Sequence, residues 1–311
     1  MTEHTEYPEM GAPEDALSFS GKVKAELCRM PLGGLAQATA EAYGVLLYAN
    51  SFSAREVRIV TESRDFAGRL ERLFARAFSL QFDSAEDSSG RGRSSFSIRD
   101  ADKIRQIFAR FGYDAGQVLS HHINLGVLEE EQCRPAFLRG VFLAGGSVTD
   151  PGKRSHLELV TDHRNVAGET YSLLLEAELN PKETVRAGHY VLYFKRAENI
   201  EDFLTYIGAH LSAMELMSVK IEKEMRNAVN RKVNCDSANA DKIVSAAQAQ
   251  LEQIRRIDRS LGLDNLPGEL RDVALLRIAN PEASLADLAA LSDPPVSKSG
   301  INHRMRKLMK L

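Results

Sequence analysis

The feature that most restricts how this 311-residue chain can fold is that it states one pattern of elements twice. Residues 35–49 are apolar on nearly every side, which predicts a helix buried all round. Residues 55–61 alternate polar and apolar, as a half-buried strand does. Residues 65–78 carry Phe66, Leu70, Leu73, Phe74 and Ala77 along one helical stripe. Short strands are predicted at 80–82 and 94–98, with 87–93 a polar hairpin loop between them, and a helix over 101–111. The same order then returns: an apolar helix over 135–146, an alternating strand over 156–161 and an amphipathic helix over 166–179. Strands at Val185 and 190–194 follow, around a turn at Ala187 and Gly188, and a helix over 200–211 closes the copy. Local text repeats too, since Val60-Thr61 returns as Val160-Thr161 and Gly44 as Gly140. The recurrence predicts an α+β fold whose first part is a duplicated mixed α/β unit with pseudo-twofold symmetry, halves at about 18–115 and 120–213. The two very apolar helices are the natural contact between halves, and their glycines permit close backbone approach.

From about residue 214 the strand signals stop. Residues 215–229 and 241–261 read as helices joined by the polar stretch 230–239, so 214–262 is predicted to be a helical linker. Residues 263–311 then form an all-α domain, and 268–311 fit a trihelical helix-turn-helix. Its first helix is expected over 270–278, closed by Asn280-Pro281. Ser284 and Asp287 have the spacing of a capping box that opens a short helix ending near Leu291. Residues 292–295 make the turn, Val296 plugs the core, and Ser297 or Ser299 caps the third helix. In that helix Ile301, Met305 and Leu308 form a core stripe. The opposite face shows Lys298, Ser299, Asn302, His303, Arg306 and Lys307, with Arg304 at its border. The first turns of a recognition helix are what meet base edges in the major groove. Asn suits adenine, Arg and Lys suit guanine, and Ser297 and Ser299 beside free N–H groups suit a phosphate.

Charge supports that assignment by its distribution rather than its sum. Net charge is −3. Residues 1–17 carry five acids and no Lys or Arg, which with Pro8 and Pro13 predicts a disordered tail. Residues 18–219 hold 24 basic and 26 acidic side chains, whereas 220–311 hold 16 and 12. Residues 298–311 contain Lys298, Arg304, Arg306, Lys307 and Lys310 and no acid, a localised cationic tip of the kind that meets phosphates. The near-neutral body argues against a broad DNA saddle. A second polar cluster, Asn227, Asn230, Arg231 and Asn234 beside Arg226, falls partly on one helical face. It is a candidate auxiliary contact to the DNA backbone, against the alternative of an interdomain network of Asn caps.

Several strings resemble a known family. Residues 137–146, FLRGVFLAGG, look like the signature helix of LAGLIDADG homing endonucleases, and 42–50, AYGVLLYAN, like a weaker first copy. Residues 230–239, NRKVNCDSAN, and 297–304, SKSGINHR, resemble the WhiA family specifically. The resemblance covers essentially everything from Ser18 onward. It implies a LAGLIDADG-like domain fused to a helix-turn-helix in a bacterial transcription factor tied to sporulation, cell division and chromosome segregation. Such a protein is expected in the cytoplasm, associated with the nucleoid.

The same alignment puts Ala49 and Gly145 where a LAGLIDADG nuclease places its two metal-binding acids. Neither side chain can ligate a divalent cation, so the expectation is a regulator and not an enzyme, with no metal and no cofactor. Asp150 has no counterpart in the first copy and, beside Pro151-Gly152, reads as a turn residue. The alternatives are a metal-dependent DNA endonuclease and a protein-interaction module. His121-His122 is an adjacent pair whose rings point apart, and His156, His163 and His189 lack metal spacing. Cys28, Cys133 and Cys235 lie about a hundred residues apart and read as free thiols. No apolar run reaches the roughly 20 residues of a membrane helix, and the N-terminus lacks a secretory pattern. The expected partners are double-stranded DNA and another transcription or division protein, with no membrane.

Overall fold

The computed structural model describes residues 17–88, 92–114 and 120–311. The expectations for the first 16 residues, and for Ser89, Gly90 and Arg91 of the polar loop, lie outside the described residues. The chain divides into two compact units, 1–222 and 223–311.

The first unit opens with α1 (Phe19–Arg29), which has no counterpart among the sequence expectations although Phe19, Val23 and Leu27 are buried along one side of it. Two copies of one motif follow. The first comprises α2 (Leu35–Leu47), β1 (Ser51–Phe52), β2 (Val57–Thr61), α3 (Arg64–Phe78), β3 (Ser84–Ser88), β4 (Arg93–Ile98) and α4 (Ala101–Arg110). The second comprises α5 (Cys133–Gly145), β5 (Gly146–Val148), β6 (Leu157–Thr161), α6 (Arg164–Glu176), β7 (Lys182–Arg186), β8 (His189–Phe194) and α7 (Ala197–Ile207). Each copy folds its four strands into an antiparallel sheet of the same order, β1-β2-β4-β3 and β5-β6-β8-β7.

Three differences from the sequence reading have local causes. Each copy holds an extra two- or three-residue strand after its apolar helix, too short to show alternation. The third strand of the first sheet is Ser84–Ser88 and not 80–82. Its sequence, SAEDS, is polar because it lies at the sheet's edge and, among the described residues, pairs with β4 alone. The closing helix stops at Ile207 rather than 211 because Gly208 takes φ +100° and ends it. The turn at Ala187 and Gly188 has positive φ at both residues, 51° and 86°, the geometry that matches strand twist in a two-residue hairpin.

Helices α2 and α5 pack backbone to backbone at the centre of this unit. A Cβ on Gly44 would lie 2.1 Å from the Phe137 carbonyl oxygen, and one on Gly140 would lie 2.0 Å from that of Glu41. The contact is reciprocal, as pseudo-twofold symmetry requires. One core, including Tyr43, Val45, Leu46, Phe137, Val141 and Phe142, runs across both halves. Within it sits a fully buried ion network. The Arg69 guanidinium donates to both Glu41 carboxylate oxygens at 2.5 and 2.8 Å, and Arg139 donates to Oε2 at 3.3 Å. Further donors go to main-chain oxygens, of Cys28 (3.2 Å) and Met30 (2.6 Å) from Arg69, and of Ile207 (3.0 Å) from Arg139. Burial of charge is tolerated here because every member is partnered.

The linker departs most from expectation. Residues 215–229, 230–239 and 241–261 are not two helices and a joint; α8 runs unbroken from His210 to Ser260. Its 51 residues contain no Gly and no Pro, so the Asn, Asp and Ser of the polar stretch lower helix propensity by a few tenths of a kcal/mol each without breaking the ladder. Its first turn is held by Glu26 of α1. That carboxylate accepts the N–H groups of Leu211 (2.7 Å) and Ser212 (2.9 Å) and favours the positive end of the helix.

The second unit packs the last turns of α8, through Ile254 and Ile257, with α9 (Gly268–Ala279), α10 (Leu285–Leu291) and α11 (Lys298–Leu308). Among the described residues no helix is long and apolar enough to cross a membrane.

Candidate nucleic-acid interface

Helix α11 is built to show one face. Ile301, Met305 and Leu308 are buried, against Leu270, Val273, Ala274 and Leu288 among others, and Val296 packs on the same cluster. Burying one stripe fixes the rotation of the helix, so the other residues must face outward. Lys298, Ser299, His303, Arg306 and Lys307 are exposed, and Asn302 and Arg304 are partly exposed. Ser297 is the cap, its Oγ accepting the Gly300 N–H at 3.2 Å. Ser299 Oγ lies 2.9 Å from Ser297 Oγ.

The preceding elements hold that helix in place by caps and one buried cation. Ser284 and Asp287 form the reciprocal capping box, at 3.2 and 2.9 Å, and these hydrogen bonds hold the Asp287 carboxyl below its ordinary value. Arg277 on α9 is buried and donates to the carbonyl oxygens of Ala283 (2.5 Å) and Asn280 (3.3 Å). It thereby fastens the turn that leads into α10. Periodicity gave no sign of this, because an Arg within an amphipathic helix reads by default as surface.

Electrostatically the face is open. Among the described residues no acid pairs with Lys298, Arg306, Lys307 or Lys310, whereas Arg304 lies 3.6 Å from Glu269 of α9. The eight residues singled out from sequence at this end therefore divide. Lys298, Ser299, Asn302, His303, Arg306 and Lys307 share the free side, Ser297 serves as cap, and Arg304 is partly engaged within the unit. Asn227, Asn230, Arg231 and Asn234 are exposed on α8 at i, i+3, i+4 and i+7, a spacing that puts them on one face.

The positions where a homing endonuclease would carry its acids lie in the other unit. Gly145 is the last residue of α5. A Cβ there would sit 2.5 Å from the Val160 carbonyl oxygen and 2.8 Å from Tyr48 Cδ1, so there is no room for a carboxylate. Ala49 has no ligating atom in its side chain. These residues do not fit a catalytic metal, and among the described residues no three His, Cys, Asp or Glu side chains gather to hold one. Asp150 accepts the Gly152 N–H at 2.8 Å, the turn role expected of it. His121 and His122 do point apart. His121 stacks on Phe52 at 4.8 Å, while His122 is exposed and lies 2.8 Å from Glu169.

Together these features define a class: a duplicated LAGLIDADG-type fold without metal-binding acids, followed by a helix-turn-helix. Family models agree. The WhiA LAGLIDADG-like domain matches residues 134–226, and the WhiA C-terminal helix-turn-helix domain matches 229–311. The chain is 39% identical over 300 residues to a probable cell division protein WhiA of Ruminiclostridium cellulolyticum, covering 94% of this chain and 96% of that one. It is 37% identical over 309 residues to the probable cell division protein WhiA of Clostridium botulinum, covering 95% and 98%. A crystal structure of full-length WhiA from Thermatoga maritima superposes with a TM-score of 0.60 at 25% identity, over 94% of this chain and 97% of that one. The chain belongs to the WhiA family.

Proposed function

We propose that the chain is a sequence-specific, double-strand DNA-binding transcription regulator acting in cell division, chromosome segregation or sporulation. It works in the cytoplasm at the nucleoid and cuts no DNA. The observation that carries the reading is the rotation of α11: its apolar stripe is buried, and the exposed side presents Lys298, Ser299, Asn302, His303, Arg306 and Lys307, with no acid paired to its cations among the described residues. Asn302 and the residues around it read bases, Lys298, Arg306 and Lys307 neutralise phosphates, and the Ser297 cap leaves main-chain N–H groups for one phosphate. Arg304 reaches DNA once it leaves Glu269. Asn227, Asn230, Arg231 and Asn234 add backbone contact. The duplicated domain is a scaffold that also docks a transcription or division protein.

Mapping of occupied DNA across the genome, followed by binding to the recovered site, tests this. Asn302→Ala should cost about 1–3 kcal/mol on the specific site and little on unrelated duplex. Lys307→Ala should weaken both alike and lower the salt slope by about 0.9. Equal affinity of both variants and the parent would sink the assignment. Reproducible magnesium-dependent linearisation of supercoiled plasmid by the purified chain would favour the endonuclease reading. Unchanged affinity in an Arg231→Ala, Lys232→Ala double variant at matched salt would remove the auxiliary contact. Removing residues 268–311 should abolish specific DNA binding and leave the protein partner bound.

A further inference from the structure

The two copies in the first unit differ at one place that their shared topology does not explain. In the second copy Thr161 Oγ1 donates to the Leu47 carbonyl oxygen, at the end of α2, at 3.1 Å. Among the described residues its counterpart Thr61 makes no such bond to the matching end of α5. A cavity of about 970 Å³ opens there instead, walled by α1, the β2–α3 junction, the start of β4 and the last turn of α5. That volume is at the upper end of the roughly 300–1,000 Å³ of small-molecule sites.

The wall is dominated by donors. Lys24 lines it, and its ammonium has no hydrogen-bond partner among the described residues; the Phe142 ring centroid lies 5.9 Å away. Burial pushes the Lys24 pKa down to about 8, with Cys28 and Glu62 pulling the other way, a cost that a bound anion would relieve. Arg64 and Arg93 line the cavity and are exposed, with no ion pair among the described residues; Arg29 lines it too, as do the carboxylates of Glu62 and Asp65. Four hydroxyls complete it. Ser18, Ser20, Thr61 and Ser63 each accept one main-chain N–H, from Gly21, Val148, Ser63 and Phe66. None donates to a described residue, so each keeps its O–H hydrogen for a ligand. Leu143 and Ala144 supply an apolar side.

We propose that this cavity is a binding site for a phosphorylated small metabolite of mononucleotide size, with its phosphates on Lys24 and the hydroxyls of Thr61 and Ser63. Cation and hydroxyl donors that outnumber the two carboxylates on the same wall, Glu62 and Asp65, suit a phosphate ester, and the volume far exceeds what inorganic phosphate alone would fill. The cavity is lined only by residues of the first unit, so the proposal holds or fails independently of the DNA reading.

Calorimetric titration of the full chain with adenosine 5′-diphosphate, with adenosine as the uncharged control, tests the proposal. The diphosphate should bind saturably in the micromolar to sub-millimolar range, and adenosine at least tenfold more weakly. Lys24→Met should reduce the affinity at least tenfold. Thr61→Val, which keeps shape and removes one donor together with the acceptor of the Ser63 N–H, should reduce it at least threefold, roughly the value of one modest hydrogen bond. Arg304→Ala should not change it. Absence of saturable binding, equal binding of adenosine, or diphosphate binding that Lys24→Met and Thr61→Val leave intact would each overturn the proposal.

Discussion

Replacing Gly140 by Ala should destabilise the first unit, against the intrinsic preference of the helix. By propensity alone Ala would add about 0.8–1.0 kcal/mol. At Gly140, however, the new methyl would lie 2.0 Å from the Glu41 carbonyl oxygen. Ordinary contact begins near 3.4 Å, so α2 and α5 must part by about 1.4 Å. A gap of 0.5–1 Å already forfeits about a quarter to a half of each dispersion well, and the seam is lined by Val45, Phe137 and Val141. Overpacking typically costs about 1–3 kcal/mol, and more where the backbone itself is struck. We expect a loss of roughly 3 kcal/mol, a large share of the 5–15 kcal/mol of a typical domain. Gly68 and Gly168, on α3 and α6, are the matched controls, since a Cβ on either meets nothing within 4 Å. Denaturant unfolding followed by far-UV circular dichroism, with amide exchange read on α2 and α5 peptides, measures all three variants. Gly140→Ala should unfold early and lose protection on both helices, while Gly68→Ala and Gly168→Ala should be neutral or slightly stabilised. The close-approach argument is refuted if Gly140→Ala matches the parent, or if the control variants fall as far.

Three further outcomes follow from the same geometry. Glu41→Gln should cost about 3–5 kcal/mol in the same unfolding measurement, because it strands Arg69 and Arg139 in the core; a loss under about 1 kcal/mol would mean that the network is wet. Stability should fall as pH drops below about 6.5, the ordinary histidine value, and level off at the lower native values of His121 and His163. Burial depresses both, so the unfolded chain binds protons that the native one refuses. His121→Phe should flatten this acid limb, and an unaltered limb would assign it to other groups. Glu269→Ala should release Arg304 and, at low salt, tighten binding to any duplex by a few-fold, with a salt slope steeper by about 0.9; unchanged binding would show that the 3.6 Å pair does not restrain Arg304.

What the sequence exposes and hides follows from where the physics is local. The two apolar helices, the capping box at Ser284 and the Ile301–Met305–Leu308 stripe are each written in a window of ten or so residues, and the pairing of Gly44 with Gly140 follows from the recurrence of the whole pattern. The polar edge strand Ser84–Ser88 is not, because an edge needs no apolar alternation. The continuity of α8 across 230–239 is hidden because low helix propensity resembles a break, although no Gly or Pro interrupts the helix. Glu41 and Arg139 were readable in part: charges within helices apolar on all sides must find partners, though the identity of Arg69 as one of them depends on a contact 28 positions away. At the interface, the exposed face was legible from the stripe, whereas the Arg304–Glu269 pair and the buried Arg277 depend on how three helices meet.

Tyr48 and the Val160 carbonyl, closed over Gly145, bear on what mutation can do to this lineage. A single base change that put an acid at that position would meet an aromatic ring and a peptide oxygen before it met a cation. Recovering a metal pair would take an acid in place of Ala49, another in place of Gly145, a smaller residue in place of Tyr48 and a shift of the Val160 peptide, all together. The intermediate genotypes would strain the packing around α5 before any pair of metal ligands was complete.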